Sequence, residues 1–224
     1  MNKPTVIIKN ISKKYYFEKP KTIKNWVNNF MSPFDKFTVI DNFSLTVEKG
    51  EFVVITGPNG CGKTTLLRLM SGITEPDHGS ITMNGKVVPL IDLGAGFNSE
   101  LTGRENTMVN ATILGIKKRN ILDILPKIID FSELSNFIDI PLKRYSTGMI
   151  ARLAFSIAVY AQPDILLLDE VFAIGDERFQ KKSLDKLHEL KRKDVTIILV
   201  SHYYQWIDQI DRIVRLPKNS RLKG

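Results

Sequence analysis

The chain has a single cysteine, Cys61, in 224 residues. One thiol can build neither a disulfide framework nor a cysteine-based metal cluster. Long apolar runs are missing as well, since no stretch approaches the roughly 18 consecutive apolar residues that span a bilayer. The opening MNKPTVIIKN lacks the apolar core of a secretory leader, so the cytosol is the expected compartment. Internal repeats, long low-complexity segments and DNA- or RNA-recognition motifs are also lacking. With 43% hydrophobic and 25% charged residues the composition is ordinary and globular. The length suits one α/β domain with room for an inserted subdomain. The net charge of +8 comes from Lys and Arg spread along the chain. Such a surface fits a membrane surface or an acidic partner better than nucleic acid.

The most informative stretch is GPNGCGKTT: Gly57, Pro58, Asn59, Gly60, Cys61, Gly62, Lys63, Thr64 and Thr65. It satisfies Gly-x-x-x-x-Gly-Lys-Ser/Thr at every fixed position. The β-branched run FVVIT precedes it and the helix former TLLRLM follows. Strand, glycine loop and helix is the context that makes the pattern a phosphate-binding loop. Glycines let backbone N–H groups curl around anionic oxygens, and the new helix aims its positive dipole end at them. Lys63 is placed to reach terminal phosphates and the Thr64 hydroxyl to hold Mg²⁺.

Other segments frame this loop. TVIIKNI, residues 5–11, reads as a first strand, with Tyr15 and Tyr16 just after it. A flat exposed ring there can stack on a purine or cover an edge of the core. Residues 21–31, KTIKNWVNNFM, place Ile23, Trp26, Val27, Phe30 and Met31 on one helical stripe between Pro20 and Pro33. This amphipathic helix either packs on its own domain or faces a partner or membrane interface. FTVIDNFSLTVE, residues 37–48, reads as a strand or hairpin arm. The Asn84-Gly85 pair inside SITMNGKVVPLIDL signals a hairpin. Residues from about 104 to 137 are helical in pattern, with breaks expected near Gly115 and Pro126. With the helix IARLAFSIAVYAQ they make an inserted helical subdomain of about 104–160.

DILLLDE, residues 164–170, is a continuous apolar run ending in two acids, as in a buried parallel strand with its carboxyl end at a site. Asp169 is placed to hold Mg²⁺. Glu170, one residue on, points differently and can polarise a water toward a γ-phosphate. Alternatively the pair caps a strand–loop junction. Residues 177–193 form a charged helix. TIILVSH is another apolar strand, and His202 at its end can donate to a γ-phosphate or be structural. DRIVRLP reads as an edge strand.

Together these stretches resemble the nucleotide-binding subunit of an ABC transporter over essentially the whole chain. GPNGCGKTT resembles its Walker A loop and DILLLDE its Walker B strand with the catalytic glutamate. YSTGM stands where the family signature LSGGQ stands, AIGD ending at Asp176 resembles the D-loop, and Ser201-His202 the switch histidine. LGAGFNSELTGREN, the YSTGM form and DEVFAIGDERFQKK are most similar to ATPases of O-antigen, capsule or teichoic acid exporters. The segment around residues 21–31 resembles the gate helix of that group. Departures are Thr147 for a signature glycine, Cys61 for alanine, and Gly94-Ala95-Gly96-Phe97 where the family carries a Q-loop glutamine. Some O-antigen ATPases carry a carbohydrate-binding β-sandwich, for which these 224 residues leave no room.

The resemblance implies a P-loop NTPase core of ABC ATPase type, in the α/β class, with an antiparallel β subdomain and an inserted helical subdomain. It implies ATP and Mg²⁺ and a head-to-tail homodimer with ATP at the interface. Ser146, Gly148 and Asp176 of one copy would complete the site of the other, and Tyr15 would stack on adenine. It further implies a peripheral place on the cytoplasmic face of the cell membrane, beside an integral-membrane permease that passes a glycolipid or polysaccharide. A soluble ABC ATPase acting on ribosomes or nucleic acid, and a P-loop kinase, are the rival readings.

Overall fold

A computed structural model describes residues 3–18, 34–92, 94–170, 176–217 and 222–223. Two sheets organise it. The first has the order β4-β1-β2-β9 and is antiparallel: β1 (Pro4–Glu18) pairs with β2 (Phe34–Glu48), β4 (His78–Met83) lies outside β1, and β9 (Leu222–Lys223) outside β2. The second is parallel, in the order β5 (Val87–Leu90), β6 (Ile165–Asp169), β7 (Thr196–Val200), β3 (Phe52–Thr56), β8 (Arg212–Arg215).

The central strands are apolar throughout because both of their faces are covered. Side chains alternate along a strand, and here the alternation sorts residues into two cores. Val53, Ile55, Ile165, Leu167, Ile198 and Val200 face a cluster that includes Val6, Ile8, Val47, Leu66, Leu67 and Met70. Helix α1 (Lys63–Met70) therefore lies between the two sheets. Phe52, Val54, Leu166, Leu168, Ile197 and Leu199 face the opposite cluster, which takes in Phe155, Ala158 and Phe179.

Among the described residues three α-helices and a 3-10 turn (Leu142–Arg144) lie between β5 and β6: α2 (Gly103–Ile113), α3 (Lys118–Ser132) and α4 (Thr147–Tyr160), with α5 (Glu177–Arg192) between β6 and β7. A capping box starts α2, Thr102 accepting from the Glu105 amide while the Glu105 side chain accepts from the Thr102 amide. Helix α4 is apolar on two sides. Its Ala151, Ala154, Phe155 and Ala158 meet the parallel sheet's core. Its Leu153 and Ile157 join Ile124 and Ile128 of α3 in a third cluster.

Three expectations need correction. The Asn84-Gly85 turn does not close a hairpin, for β4 and β5 belong to different sheets. Turn chemistry is local, whereas each strand found a longer-range partner: β4 pairs with β1 and β5 with β6. The Asp164 carboxylate accepts from the Lys86 amide at 2.6 Å and holds the crossing. Helix α3 also runs unbroken through Pro126. Pro126 lies on the exposed face, and so does Leu122, whose carbonyl loses its donor. Finally, β1 continues well past residue 11, and Tyr15 and Tyr16 are inside it, opposite Phe37 and Lys36. The predicted helix at 21–31 lies outside the described residues.

An interior proline costs a helix up to about 3 kcal/mol, and water relieves part of that cost here. Pro126→Ala is expected to stabilise the chain by about 1 kcal/mol, or roughly 2–4 °C in Tm for a domain of this size. Thermal unfolding followed by circular dichroism checks this.

Candidate functional site

Strands β6, β7 and β3 are neighbours and all end at one edge of the sheet. Register carries this through: Asp169 pairs with Val200, and the Ser201 amide donates to Ile55 O. Each strand delivers its polar residues just past its carboxyl end, where parallel α/β sheets place ligands. Residues 57–62 follow β3, Asp169 and Glu170 end β6, and Ser201 and His202 follow β7.

The loop after β3 depends on two glycines. Gly57 has φ +155°, and a Cβ there would meet Leu216 O at 2.5 Å and the Cys61 Sγ at 2.9 Å. Gly62, at φ +101°, caps α1 against Val39, whose Cγ1 would lie 2.7 Å from an added Cβ. Neither position admits a side chain. Cys61 is buried and packs into the core rather than facing the cavity. The cavity itself, about 270 Å³, is lined by Val39, Gly60, Gly62, Lys63, Thr64 and Thr65. Pro58 and Asn59 complete the turn, with the Cys61 amide donating to Pro58 O.

Lys63 is only 7% exposed. Its ammonium donates to Gly57 O at 3.1 Å and Pro58 O at 3.4 Å, and it lies 2.8 Å from His202 Nε2. An ammonium has no acceptor, so Nε2 accepts and the imidazole proton sits on Nδ1. His202 Nε2 is also 3.5 Å from Glu170 Oε1. Glu170 has φ +47°, a strained value for glutamate, and its amide is tied to Val200 O at 2.9 Å. The Thr64 hydroxyl donates to Asp169 Oδ2 at 2.8 Å. Burial pushes the Asp169 carboxyl above the usual aspartate range, against the pull of that hydrogen bond and of the Lys63 charge. Glu170 and Asp92 push it in the same direction as burial.

Lys63, Thr64, Asp169, Glu170 and His202 thus converge on one site. Among the described residues, no hydrogen bond or ion pair joins Ser146, Gly148, Asp176 or Tyr15 to it. Ser146 caps α4, accepting from the Met149 amide, and Gly148 lies in that helix's first turn. Asp176 caps α5 and binds Arg152 at 2.9 Å. Tyr15 is 40% exposed, with the Lys13 ammonium 5.8 Å from its ring centre. Two residues near these groups escaped the sequence reading. Asp92, just past the end of β5, bears on Asp169 and pairs with Arg68 at 3.3 Å. Its clue was position, as the first acid after the apolar run VVPLI. Arg152 gave no clue, because a lone arginine on a helix reads as solvated.

Comparison with known proteins settles the family, because the model of the ABC transporter family matches residues 40–173. The chain belongs to that family. It is an α/β chain with the P-loop fold of ABC ATPases, and nucleotide binding goes with membership. Similar proteins include the O-antigen export system ATP-binding protein RfbB of Klebsiella pneumoniae, 42% identical over 98% of this chain and 92% of its own length. The ABC transporter protein AbcA of Aeromonas salmonicida is 41% identical over 99% of this chain and 73% of its own. The teichoic acids export ATP-binding protein TagH of Staphylococcus epidermidis is 37% identical over 98% of this chain and 83% of its own. The fold matches the dimeric ATP-binding cassette MJ0796 in a post-hydrolysis state bound to ADP and Pi, with TM-score 0.77, 20% identity, and 98% and 99% of the two chains covered.

In this ABC-family chain the raised Asp169 makes a stability prediction with a definite sign. A carboxyl harder to ionise when folded weakens the fold as pH rises through its raised pKa, and the penalty is complete above it. It vanishes below the unfolded value of about 4. Asparagine can still accept the Thr64 hydrogen bond. Asp169→Asn should therefore raise Tm at pH 7, with the gain shrinking toward pH 4, as measured by scanning calorimetry without nucleotide.

Proposed function

We propose that this chain is the ATP-hydrolysing subunit of an ABC transporter that exports a lipid-linked polysaccharide (O-antigen, capsule or teichoic acid) across the cytoplasmic membrane. The observation that carries the proposal is the convergence of the Lys63–His202 contact, the Thr64–Asp169 pair and Glu170 at one sheet edge. Similarity to exporters named for O-antigen and teichoic acids supports the transported class. Nothing in those names points to ribosomes or nucleic acid.

Lys63 now spends its donors on two carbonyls and an imidazole. Phosphate oxygens are better acceptors for an ammonium, being charged. Lys63 would turn to them, with the backbone N–H groups of residues 59–65 around the same anion. His202, released from Lys63, would steady the terminal phosphate, and Glu170 would orient the attacking water. Thr64 and Asp169 are hard oxygen donors 2.8 Å apart, the type of partner Mg²⁺ takes beside phosphate and water. That ion would neutralise charge on the phosphate oxygens.

Ser146, Gly148 and Asp176 would act on the nucleotide of a second copy, the signature turn offering amides and a helix dipole to it. Their separation from the Lys63 site and the dimeric state of the similar cassette favour this division. Tyr15 would stack on the base. The partner in the membrane would be a permease, with this subunit peripheral on its cytoplasmic side. In keeping with that placement, no helix among the described residues is long and apolar enough to span a bilayer. Nucleic acid is not an expected partner.

Glu170→Gln should keep ATP binding and slow hydrolysis about 10²–10⁴-fold, the usual weight of a general base. It should also shift the protein to dimer with ATP on gel filtration. Normal turnover would sink the assigned role. In the source cell, deleting the gene should remove one surface glycan and accumulate its lipid-linked precursor inside. An intact glycan coat would contradict the exporter reading.

A further inference from the structure

Outside the site around Lys63, a polar cluster among the described residues centres on Arg152, in the second turn of α4. Its Nη2 donates to Asp176 Oδ2 at 2.9 Å and its Nη1 to Glu133 Oε2 at 3.2 Å. Its guanidinium carbon sits 4.9 Å from the centre of the Phe179 ring. The side chain is only 19% exposed. These contacts join three elements. Glu133 ends α3 in a left-handed conformation, φ +59°. Asp176 caps α5, its other oxygen accepting from the Phe179 amide at 2.9 Å. Phe179 is buried against Phe131 and Phe155. Lys182 closes the group from α5, 3.3 Å from the other Glu133 oxygen.

An exposed ion pair contributes little stability, and Asp176 is 64% exposed, so the cluster is not explained by its energy alone. Its geometry is more telling. A planar fork that divides between two carboxylates while lying over an aromatic ring has little freedom left. It therefore sets a distance between the start of α4 and the start of α5. Ser146 and Gly148 are at the first of these ends and Asp176 is at the second.

We propose that Arg152 is a positioning residue that holds the Ser146–Gly148 turn and Asp176 in fixed register, so that both meet a second copy's nucleotide as one rigid unit. The inference rests on the two-copy reading above. Arg152 reaches no phosphate itself; it acts through Asp176. It leaves the chain's own nucleotide pocket untouched, because Lys63, Thr64 and Asp169 share none of its contacts.

The test is Arg152→Lys in the full chain with Mg-ATP, since lysine keeps the charge but cannot span two carboxylates. The expected kcat loss is on the order of ten- to a hundredfold, as for small misplacements of reacting groups. ADP affinity by calorimetry and Tm should stay as in the unsubstituted chain. Adding Asp176→Asn to that variant should cost less than about threefold more, because both changes break one contact. Arg152→Gln repeats the test without the charge.

A kcat within about twofold of the parent overturns the inference, provided parent activity per chain rises with protein concentration. In that case the two-copy reading stands. Activity per chain independent of concentration defeats both. Loss of ADP affinity matching the loss of kcat, or independent multiplication of the two substitutions, also overturns it.

Discussion

A buried ammonium with neutral acceptors is the constraint from which the site's architecture follows. Lys63 is 7% exposed and is held by two carbonyls and an imidazole. A charge withdrawn from water is costly until an opposite charge arrives. The folded chain accepts that cost because α1 is clamped by Leu66, Leu67 and Met70 between two sheets. Packing supplies the free energy that holds the ammonium in place. Asp169 is its counterpart in sign, a carboxylate that burial makes harder to ionise. A pocket with a desolvated cation on one side and a desolvated acid on the other suits a ligand bearing both phosphate and a divalent cation.

The sheet makes this possible through order rather than proximity in sequence. Asp169 lies 105 residues beyond Thr64, yet their oxygens are 2.8 Å apart. The strand order β6-β7-β3 brings this about, since three parallel strands end together. Strict alternation within those strands divides two cores, and the polar residues gather where the strands end: Asp169 as the last residue of β6, Ser201 just after β7. The strained φ at Glu170 belongs to the same logic. Leaving the strand sharply turns its side chain toward His202 and away from the direction taken by Asp169.

What could be read in the sequence was local chemistry. The phosphate loop, the acids ending β6 and the histidine after β7 each sit beside an apolar run whose type was plain. Choice of strand partner was not legible. The Asn84-Gly85 pair is good turn chemistry, yet the turn passes between sheets because β1 and β6 outcompete a local hairpin. Pro126 was misread for a similar reason, since whether proline breaks a helix depends on which face it occupies. The first strand reads as ending at residue 11, before Tyr15, because Lys13 and Lys14 interrupt the apolar pattern. They are tolerated in a β1 whose pairing with β2 shifts register there. Asp92 and Arg152 are charged residues whose partners lie far along the chain, and no periodicity marks them.

Helix α4 connects these levels. Most helices have one apolar stripe, but this one is apolar on two sides because it packs on the parallel sheet and on α3 at once. A helix gripped from both sides cannot roll or slide without disturbing both cores. Its N-terminus, with Ser146 and Gly148, is therefore placed by packing as well as by the Ser146 cap. Toward α5, the Phe155–Phe179 contact and Arg152 act together. If the turn at Ser146 serves another copy's nucleotide, a change at that nucleotide is felt first by α4, and α4 can pass it on to the sheet beneath, to α3 beside it and to α5. The sheet carries the chain's own Asp169 and Glu170. The two nucleotides of a pair would then be linked through the body of each subunit as well as across the gap between them.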